Sequence, residues 1–509
     1  MSKVSRNIIY NGLGQGLSVL LSFVAVRLVF RRLGGDALGL IYFSLAVSAA
    51  LSVAVQLGIC ESAVREVASH QGNRPEYIKS FIRTSSSFYW VAFLLLALLT
   101  YWVSPYLVHH WVKLDSLDKL TAIKVMRILT LGALVALPGG LYRALLTGLQ
   151  HMGITNLIDV IAKALQQSGI FVLLLVHGSL SQVAYWICAS MALQVIVTWA
   201  VCTRYFSVQA LLFPGFSRAV VKENIGFASG LFTITVCSWI TSQMDRIIIS
   251  KLLPLSRLGT YTFARGAINQ GMLLTGSISS AIFPHFSALY AAGNTAELRR
   301  MYDKIQDLIC FATIPVFAGV PFATLPLFSR AFDMPTAHLL LLPCTFLAVG
   351  YYLNGAIVTP YMVSLAVGRP DITARQNALA LLIVPIVSTL AIYWFGLNGA
   401  GFSWVVYHIY ALSYGLPRIC RECIGIAPRL WYWHVFRIMV VAGLIYGSIW
   451  GLIAWRGNFS LGVLATGYAV GSIIYGGVAF AMMGDSLRSA ILQYIRRGRG
   501  LVEQVAVAP

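Results

Sequence analysis

Predominantly apolar stretches of about twenty residues or more recur along the whole length of this chain. A helix that crosses the hydrocarbon core of a bilayer needs about 20 such residues. Of the 509 residues, 58% are hydrophobic and 11% are charged, whereas soluble domains carry roughly 25% charged residues. The pattern predicts an all-α polytopic membrane protein. We expect about fourteen transmembrane helices, numbered spans 1 to 14, at residues 8–30, 38–60, 82–107, 126–149, 154–177, 181–203, 225–251, 259–283, 305–328, 338–366, 374–396, 399–418, 434–455 and 462–483.

The second half of the chain weakly repeats the first half at an offset of about 220 residues. One copy reads RRLGGDALGLIYFSLAV around Gly39, and the other reads SKLLPLSRLGTYTFARGA around Gly259. Gly39 precedes Gly72 by 33 residues, and Gly259 precedes Gly293 by 34 residues. In an apolar chain, this echo predicts two homologous helical bundles that face a shared cavity, as in many transporters.

The repeat and the spans divide the chain into five segments. We predict an N-terminal six-helix bundle at 1–203, a cytoplasmic linker at 204–224, a C-terminal six-helix bundle at 225–420, an additional transmembrane hairpin at 421–485 and a basic cytoplasmic tail at 486–509. In the hairpin, glycines recur every four residues at Gly443, Gly447 and Gly451, and again at Gly467 and Gly471. Small residues at this spacing let helices approach closely, which predicts packing ridges.

Basic residues are unevenly distributed between the two sides of the predicted topology. The formal net charge is +20. The side that holds both termini carries 22 lysines and arginines, against nine on the other side. The positive-inside rule therefore places both termini in the cytoplasm, and the arginine-rich tail is expected at anionic membrane lipids. Topology explains most of the basic excess, so we expect no nucleic-acid partner.

The sequence carries none of the common enzyme signatures. It contains no phosphate-binding loop, no HExxH motif and no GxSxG nucleophile elbow. Cys420 and Cys423 have ligand-like spacing but no accompanying second pair, which favours two small residues at a helix end over a metal site. We therefore predict a protein that is not an enzyme and uses no cofactor or metal, in which coupled ions or a substrate gradient drive any transport.

Span 8 carries a charged residue on a polar face. Charges inside membrane spans are rare and normally face a cavity or a partner. At about 100° per residue, Arg265 and Asn269 fall within about 60° of three small residues on an ideal helix, which are Thr262, Gly276 and Ser280. This face predicts that Arg265 faces an aqueous, anion-attracting cavity. The alternative is a structural arginine paired with a carbonyl group or with an acid of another helix.

Span 5 carries a second polar stripe, which consists of Asn156, Asp159, Lys163, Gln166 and Gln167. Asp159 precedes Lys163 by four residues, the favourable order for an ion pair on a helix. We predict a neutralised Asp159–Lys163 pair that lines the lumen. An ion or proton site at Asp159 is the alternative.

Spans 7 and 1 contain the remaining candidates. Asp245 shares a face of span 7 with three hydroxyl side chains and precedes Arg246. Asp245 either binds a coupling cation or pairs with a neighbouring arginine. In span 1, Gln15 belongs to a polar stripe, whereas Arg27 lies about 140° away from that stripe on an ideal helix. Arg27 is either a functional residue or extends to the membrane surface.

Several of these features together resemble one known group of membrane proteins. They are Asp245-Arg246 before Leu258-Gly259-x-Tyr261, Pro284 followed by a basic loop, Gly58 before a charged helix end, and the opening Leu33-Gly34-Gly35-Asp36-Ala37-Leu38-Gly39-Leu40. Over about residues 1–420 the chain is similar to the polysaccharide/O-antigen repeat-unit flippase family. That family belongs to the multidrug/oligosaccharidyl-lipid/polysaccharide (MOP) flippase superfamily.

The resemblance implies a V-shaped pair of six-helix bundles around a lumen, working by alternating access. The substrate would be a lipid-diphosphate-linked oligosaccharide, moved across the bacterial inner membrane for polysaccharide biosynthesis. A polysaccharide polymerase and a chain-length regulator would be further partners.

The resemblance also implies roles for the candidate residues. By position, Arg265 and Arg27 match the cationic lumen residues of the family, and Lys163 would assist them in binding the diphosphate. The polar side chains of Asn269 and Gln15 would also line the substrate path. The acids Asp159 and Asp245, the latter beside Arg246, would serve in pairing or ion coupling.

Three other functions remain open at this point. A cation-coupled multidrug exporter of the same superfamily typically has twelve helices and an acidic lumen, so the extra hairpin and Arg265 argue against it. A peptidoglycan-precursor flippase also has fourteen helices, and the sequence separates it poorly from the first interpretation. A non-transporting membrane scaffold for glycan enzymes would fill its polar stripes with packed partners.

Overall fold

Helices make up almost all of the computed structural model, which describes residues 3–56, 58–70 and 74–497. Within these ranges, the one β-type pairing is an isolated bridge between Lys113 and Pro254. The predicted all-α class is therefore confirmed. The side chains of Gln15 and Ser280 lie outside the described part of the structure.

The first eleven helices extend to Asn269, in the middle of predicted span 8. They are α1 (Lys3–Leu33), α2 (Gly35–Gln56), α3 (Ile59–His70), α4 (Pro75–Tyr106), α5 (Lys119–Val135), α6 (Leu137–Gly148), α7 (Met152–Leu175), α8 (Leu180–Cys202), α9 (Val208–Leu212), α10 (Arg218–Leu252) and α11 (Leu255–Asn269). Eight more follow, namely α12 (Met272–Ala291), α13 (Thr295–Ala331), α14 (Met334–Ala366), α15 (Asp371–Phe395), α16 (Leu397–Ile419), α17 (Pro428–Arg456), α18 (Leu461–Met482) and α19 (Asp485–Arg497).

Every predicted span lies on one of these helices or on two consecutive ones. In the described residues, 11 segments are long and apolar enough to cross a membrane. The predicted spans 1, 7 and 12 are not among those 11, and they lie on α1, α10 and α16, which have 31, 35 and 23 residues. The chain is therefore a multi-pass membrane protein, as its composition predicts.

Three predicted spans cross a helix boundary: the last two residues of span 2 lie on α3, and spans 4 and 8 are each divided into two helices. Span 4 divides between α5 and α6, where Pro138 occupies the first turn of α6, a position that tolerates its missing N–H group. Span 8 divides at Gln270 and Gly271, whose N–H groups donate to the carbonyl groups of Ala267 and Ile268 at 3.2 and 3.0 Å. The α-helix that carries Arg265 therefore ends at Asn269. The prediction of one polar face that extends to Gly276 and Ser280 stays a prediction, because the side chain of Ser280 lies outside the described residues.

The chain divides into two compact units, Met1–Thr260 and Tyr261–Pro509. In the first unit, α10 packs against α2, α3 and α4. The predicted linker at 204–224 is tied to α4 of the same unit, because the Ser87 hydroxyl donates to the Gly215 carbonyl group at 2.9 Å and the Gly215 N–H donates to the Arg83 carbonyl group at 3.2 Å. The division into two six-helix bundles plus a hairpin stays a prediction.

The two glycines that revealed the sequence repeat lie against each other in the first unit. A Cβ atom on Gly259 would lie 2.6 Å from the backbone nitrogen of Gly39 and 2.9 Å from its Cα atom. A Cβ atom on Gly39 would overlap the backbone carbonyl group of Leu255. Both positions therefore require glycine for close backbone contact, and this contact joins α2 to the start of α11.

The glycines of the hairpin differ between its two helices. A Cβ atom added to Gly443, Gly447 or Gly451 of α17 would meet no atom of the described residues within 4 Å. Gly467 and Gly471 of α18 do lie in contact with α17, through side chains such as Ile449 and Tyr446. The packing ridge is thus seen on α18, where the glycines face bulky side chains of α17, and a ridge on α17 that packs against a neighbour stays a prediction.

Candidate functional site

The first unit contains a polar cavity of about 400 Å³ between α6, α7 and α8. Its polar lining consists of Arg143 from α6, Asn156, Asp159, Lys163 and Gln166 from α7, and Ser190 and Gln194 from α8. The polar stripe predicted on span 5 thus forms one wall of a cavity. Gln167, the last member of that stripe, is buried at 9% exposed and does not line the cavity.

Asp159 is paired with a different residue from the one predicted. Its Oδ1 atom lies 3.5 Å from Nη1 of Arg143 and accepts a hydrogen bond from Nε2 of Gln194 at 2.6 Å. In the described residues, Lys163 makes no ion pair within 4.0 Å, so the predicted Asp159–Lys163 pair is wrong. By turning towards α6 and α8, the carboxylate contacts both a cation and an amide donor.

The wall of the cavity on α7 is held by contacts with α8. Gln166 donates from Nε2 to the Ser190 hydroxyl at 3.1 Å, and its backbone carbonyl group accepts from Nε1 of Trp186 at 3.0 Å. Gly169 leaves room for this indole ring, because any Cβ atom there would overlap Trp186.

The charges that line the cavity favour anions. Two cations, Arg143 and Lys163, and one acid, Asp159, leave a lining with a formal charge of +1. Lys163 is exposed, and an ammonium group without a protein ion pair can bind a phosphate oxygen. The amide and hydroxyl groups beside it can bind sugar hydroxyl groups. This cavity can therefore hold an anionic, hydroxyl-rich group.

Arg265 lies in a second polar cluster, which belongs to the second unit. Its side chain is buried at 5% exposed in this conformation, and the predicted access of Arg265 to an aqueous, anion-attracting cavity stays a prediction. Nε donates to the hydroxyl group of Tyr351 at 3.3 Å, and the guanidinium carbon lies 4.8 Å from the ring centroid of Trp404. The flat cation thus packs on aromatic side chains of α14 and α16, which favours arginine over lysine.

His408 completes this cluster, and sequence reasoning missed it. The His408 ring meets Trp404 edge-on at 4.7 Å between centroids and lies 4.9 Å from Tyr407. It is buried at 3% exposed. An ionisable residue inside predicted span 12 was the available signal, because such residues are rare and mostly functional in membrane helices.

Asp245 and Arg246 lie on α10 in the first unit. Asp245 is buried at 7% exposed, beside Thr241 at 8%. The hydroxyl groups of Thr241 and Ser242 donate to backbone carbonyl groups of α10 itself, at 2.8 and 2.9 Å. Arg246 is half-buried on the same helix. A role of Asp245 in ion coupling stays a prediction.

The remaining candidates do not line the cavity of the first unit. Arg27 is half-buried on α1, and Asn269 is exposed at the last residue of α11. The side chain of Gln15 lies outside the described residues. In the described part of the chain, no three His, Cys, Asp or Glu side chains form a group that could hold a metal ion, and Cys420 and Cys423 are free.

Comparison with known families decides where the chain belongs. It matches the family described as "Polysaccharide biosynthesis protein" over residues 4–290, more than half of its length. The chain belongs to that family. The comparison with curated proteins gave no match.

Solved structures show the fold of this polysaccharide biosynthesis family member. It is similar to the structure described as "Lipid II flippase MurJ, inward closed conformation", with a TM-score of 0.70 and 13% identity over 93% of this chain and 99% of that one. An inward-facing multidrug resistance MATE family transporter of the MOP superfamily gives a TM-score of 0.64 and 15% identity over 79% and 95%. A MOP superfamily transporter from Pyrococcus furiosus gives 0.58 and 14% over 82% and 95%. The chain therefore has the MOP transporter fold, and the resemblance noted in its sequence is confirmed.

Proposed function

We propose that this protein is a flippase that moves a lipid-diphosphate-linked oligosaccharide across the bacterial inner membrane by alternating access. Its family membership and its transporter fold support this function. The proposal places both termini in the cytoplasm, in line with the distribution of basic residues. A polysaccharide polymerase and a chain-length regulator are the proposed partners, and we assign the protein no catalytic step.

The observation that carries the proposal is the cationic polar cavity inside an apolar helical unit. A diphosphate cannot cross hydrocarbon unaided, because a charge is costly in the bilayer core. In our proposal, the isoprenoid tail stays in the lipid while the headgroup passes through the protein. Arg265 binds the diphosphate with the assistance of Arg27 and Lys163, and Asn269 and Gln15 line the path of the headgroup.

The acids have a supporting role in this scheme. Asp159 holds Arg143 in place at the cavity. We propose that Asp245, beside Arg246, serves in pairing or ion coupling. A lining with a formal charge of +1 fits cationic drugs poorly, so a multidrug exporter is disfavoured.

A peptidoglycan-precursor flippase is the second candidate. The similarity to the Lipid II flippase structure extends over 93% of this chain, whereas that to the MATE transporter extends over 79%. Both candidates share a lipid diphosphate and differ in the glycan. Rescue of a strain that lacks its lipid II flippase would favour this second function over the first.

Replacement of Lys163 tests the role of the cavity. We expect Lys163→Gln to lower glycan export about 10-fold or more, because a hydrogen bond to a charged group contributes about 1.5–3 kcal/mol. Lys163→Arg should retain most of the export. The measurement is surface glycan in a strain that depends on the plasmid-borne protein, normalised to its amount in the membrane.

Lys124→Gln is the matched control, since Lys124 is exposed on α5 of the same unit and does not line the cavity. It should export at the wild-type rate. Normal glycan export by the Lys163→Gln variant would show that the cavity does not lie on the substrate path.

A further inference from the structure

Several buried polar atoms next to Arg265 have no hydrogen-bond partner in the described residues. They are both ring nitrogens of His408 and the indole nitrogen of Trp404. His408 is only 3% exposed. Buried polar atoms of native proteins almost always have a partner, so such atoms mark a place where water or a ligand completes the arrangement.

These atoms belong to one cluster of donors. The guanidinium group of Arg265 lies over Trp404 at 4.8 Å, and the rings of Trp404 and His408 are 4.7 Å apart. Guanidinium and indole N–H groups can only donate, and a protonated imidazole donates from both nitrogens. A cluster of hydrogen-bond donors that includes a positive charge favours binding of the oxygen atoms of an anion.

The groups around His408 determine when its ring can accept a proton. α16 packs against α14 and α15. From these helices come Tyr351, which contacts Trp404, and Asn377, which accepts a hydrogen bond from Tyr407 at 3.3 Å; neither carries a charge at neutral pH. Among the described residues, the charged group that acts on His408 is Arg265 of α11. A fixed cation in a medium of low dielectric opposes a second positive charge nearby.

We propose that Arg265, Trp404 and His408 form one oxyanion site, and that His408 takes up a proton when a phosphate group of the substrate binds there. The proton comes from water, moves to a ring nitrogen, and returns to water when the anion leaves. The bound oxygens offset the charge of Arg265, which removes the opposition to a protonated ring. This inference rests on the proposed function and adds a proton-binding residue to its diphosphate site.

Proton binding and anion binding then favour each other by the same factor, as thermodynamic linkage requires. The diphosphate should bind more tightly at low pH, and binding should consume protons. With this proton bound, the headgroup and the site together have less net negative charge. This lowers the cost of moving the headgroup through an apolar unit.

Calorimetry with the full-length protein in nanodiscs tests this inference, with farnesyl diphosphate as the probe. Binding is measured at about pH 5.5 and about pH 7.5, a range in which imidazole titrates. Two buffers with different ionisation enthalpies give the number of protons taken up. We expect the affinity of the wild type for the probe to fall about 10-fold or more from the lower to the higher pH. His408→Gln should lose most of that dependence and take up about one proton fewer at low pH.

The diphosphate probe itself also exchanges protons over this pH range. Subtracting the proton count of the variant from that of the wild type cancels this contribution.

His434→Gln is the matched control, because His434 is another histidine of the second unit and lies 3.1 Å from Asp307. It should keep the wild-type pH dependence. Trp404→Phe retains the ring and loses the donor, so it should bind about 5- to 10-fold more weakly at both pH values.

The outcomes separate this inference from the proposed function. If the wild type binds and His408→Gln shows the same pH profile and proton count, the inference is overturned and the flippase proposal stands. If the wild type does not bind the probe at either pH, the diphosphate chemistry of both is overturned. Should His408→Gln not fold, His408→Asn replaces it, and unchanged affinity of Trp404→Phe would by itself overturn the oxyanion site.

Discussion

Arg265→Glu is expected to abolish glycan export while the protein still inserts into the membrane. Arg265→Ala should lower export about 100-fold or more, because removing one partner of a buried charged contact costs about 2–5 kcal/mol. Arg265→Lys should rescue export in part. Lysine retains the charge, but it loses the flat surface that lies 4.8 Å from Trp404 and the paired donors of guanidinium.

The measurement is complementation of a strain that lacks its flippase, with surface glycan determined by immunoblot and the variant quantified in the membrane. Arg300→Glu is a suitable control, since Arg300 belongs to the same unit and its side chain is 78% exposed. It should export normally. Full export by Arg265→Glu would place this residue off the substrate path and would favour a scaffold.

Gly39→Ala and Gly259→Ala should each prevent accumulation of the folded protein. At both positions the new methyl group would meet backbone atoms, with a Cβ atom on Gly259 only 2.6 Å from the nitrogen of Gly39. Backbone cannot swing aside as a side chain can, so we expect a cost at or above the roughly 3 kcal/mol upper end of ordinary overpacking. Size-exclusion chromatography of a fluorescent fusion after graded heating measures this loss.

Gly443→Ala and Gly447→Ala are matched controls within membrane helices. A Cβ atom at either position meets no atom of the described residues within 4 Å, and alanine favours a helix over glycine by about 1 kcal/mol. Both variants should therefore be as stable as wild type or slightly more stable. A Gly39→Ala protein with wild-type thermal stability would contradict the close contact of the two repeat glycines.

The sequence predicts the class of fold well because the bilayer imposes a length on every apolar stretch. All fourteen predicted spans lie on helices for this reason. The break at Gln270–Gly271 was not predicted, because a membrane helix tolerates such residues when neighbours satisfy the backbone. Gly271, for example, lies against Phe317 of α13, a contact that depends on tertiary packing.

The candidate site was predictable only in part. The stripe on span 5 correctly indicated a polar cavity, since residues four apart share a helix face. The partner of Asp159 was not predictable, because Arg143 and Gln194 reach it from other helices. The spacing of Gly443 and Gly447 resembled a packing ridge, but spacing does not tell which neighbour occupies the other side.

The central claim is that this protein moves a lipid-diphosphate-linked glycan from the inner to the outer leaflet. The most direct test is to deplete the protein in its host, extract the lipid-linked oligosaccharides, and determine with membrane-impermeant periodate which leaflet holds them. We predict that an isoprenoid-diphosphate glycan accumulates and stays protected from periodate until the membrane is opened. If no lipid-linked glycan accumulates, or if the accumulated glycan is oxidised in intact cells as fully as in opened ones, the protein is not the flippase of that glycan.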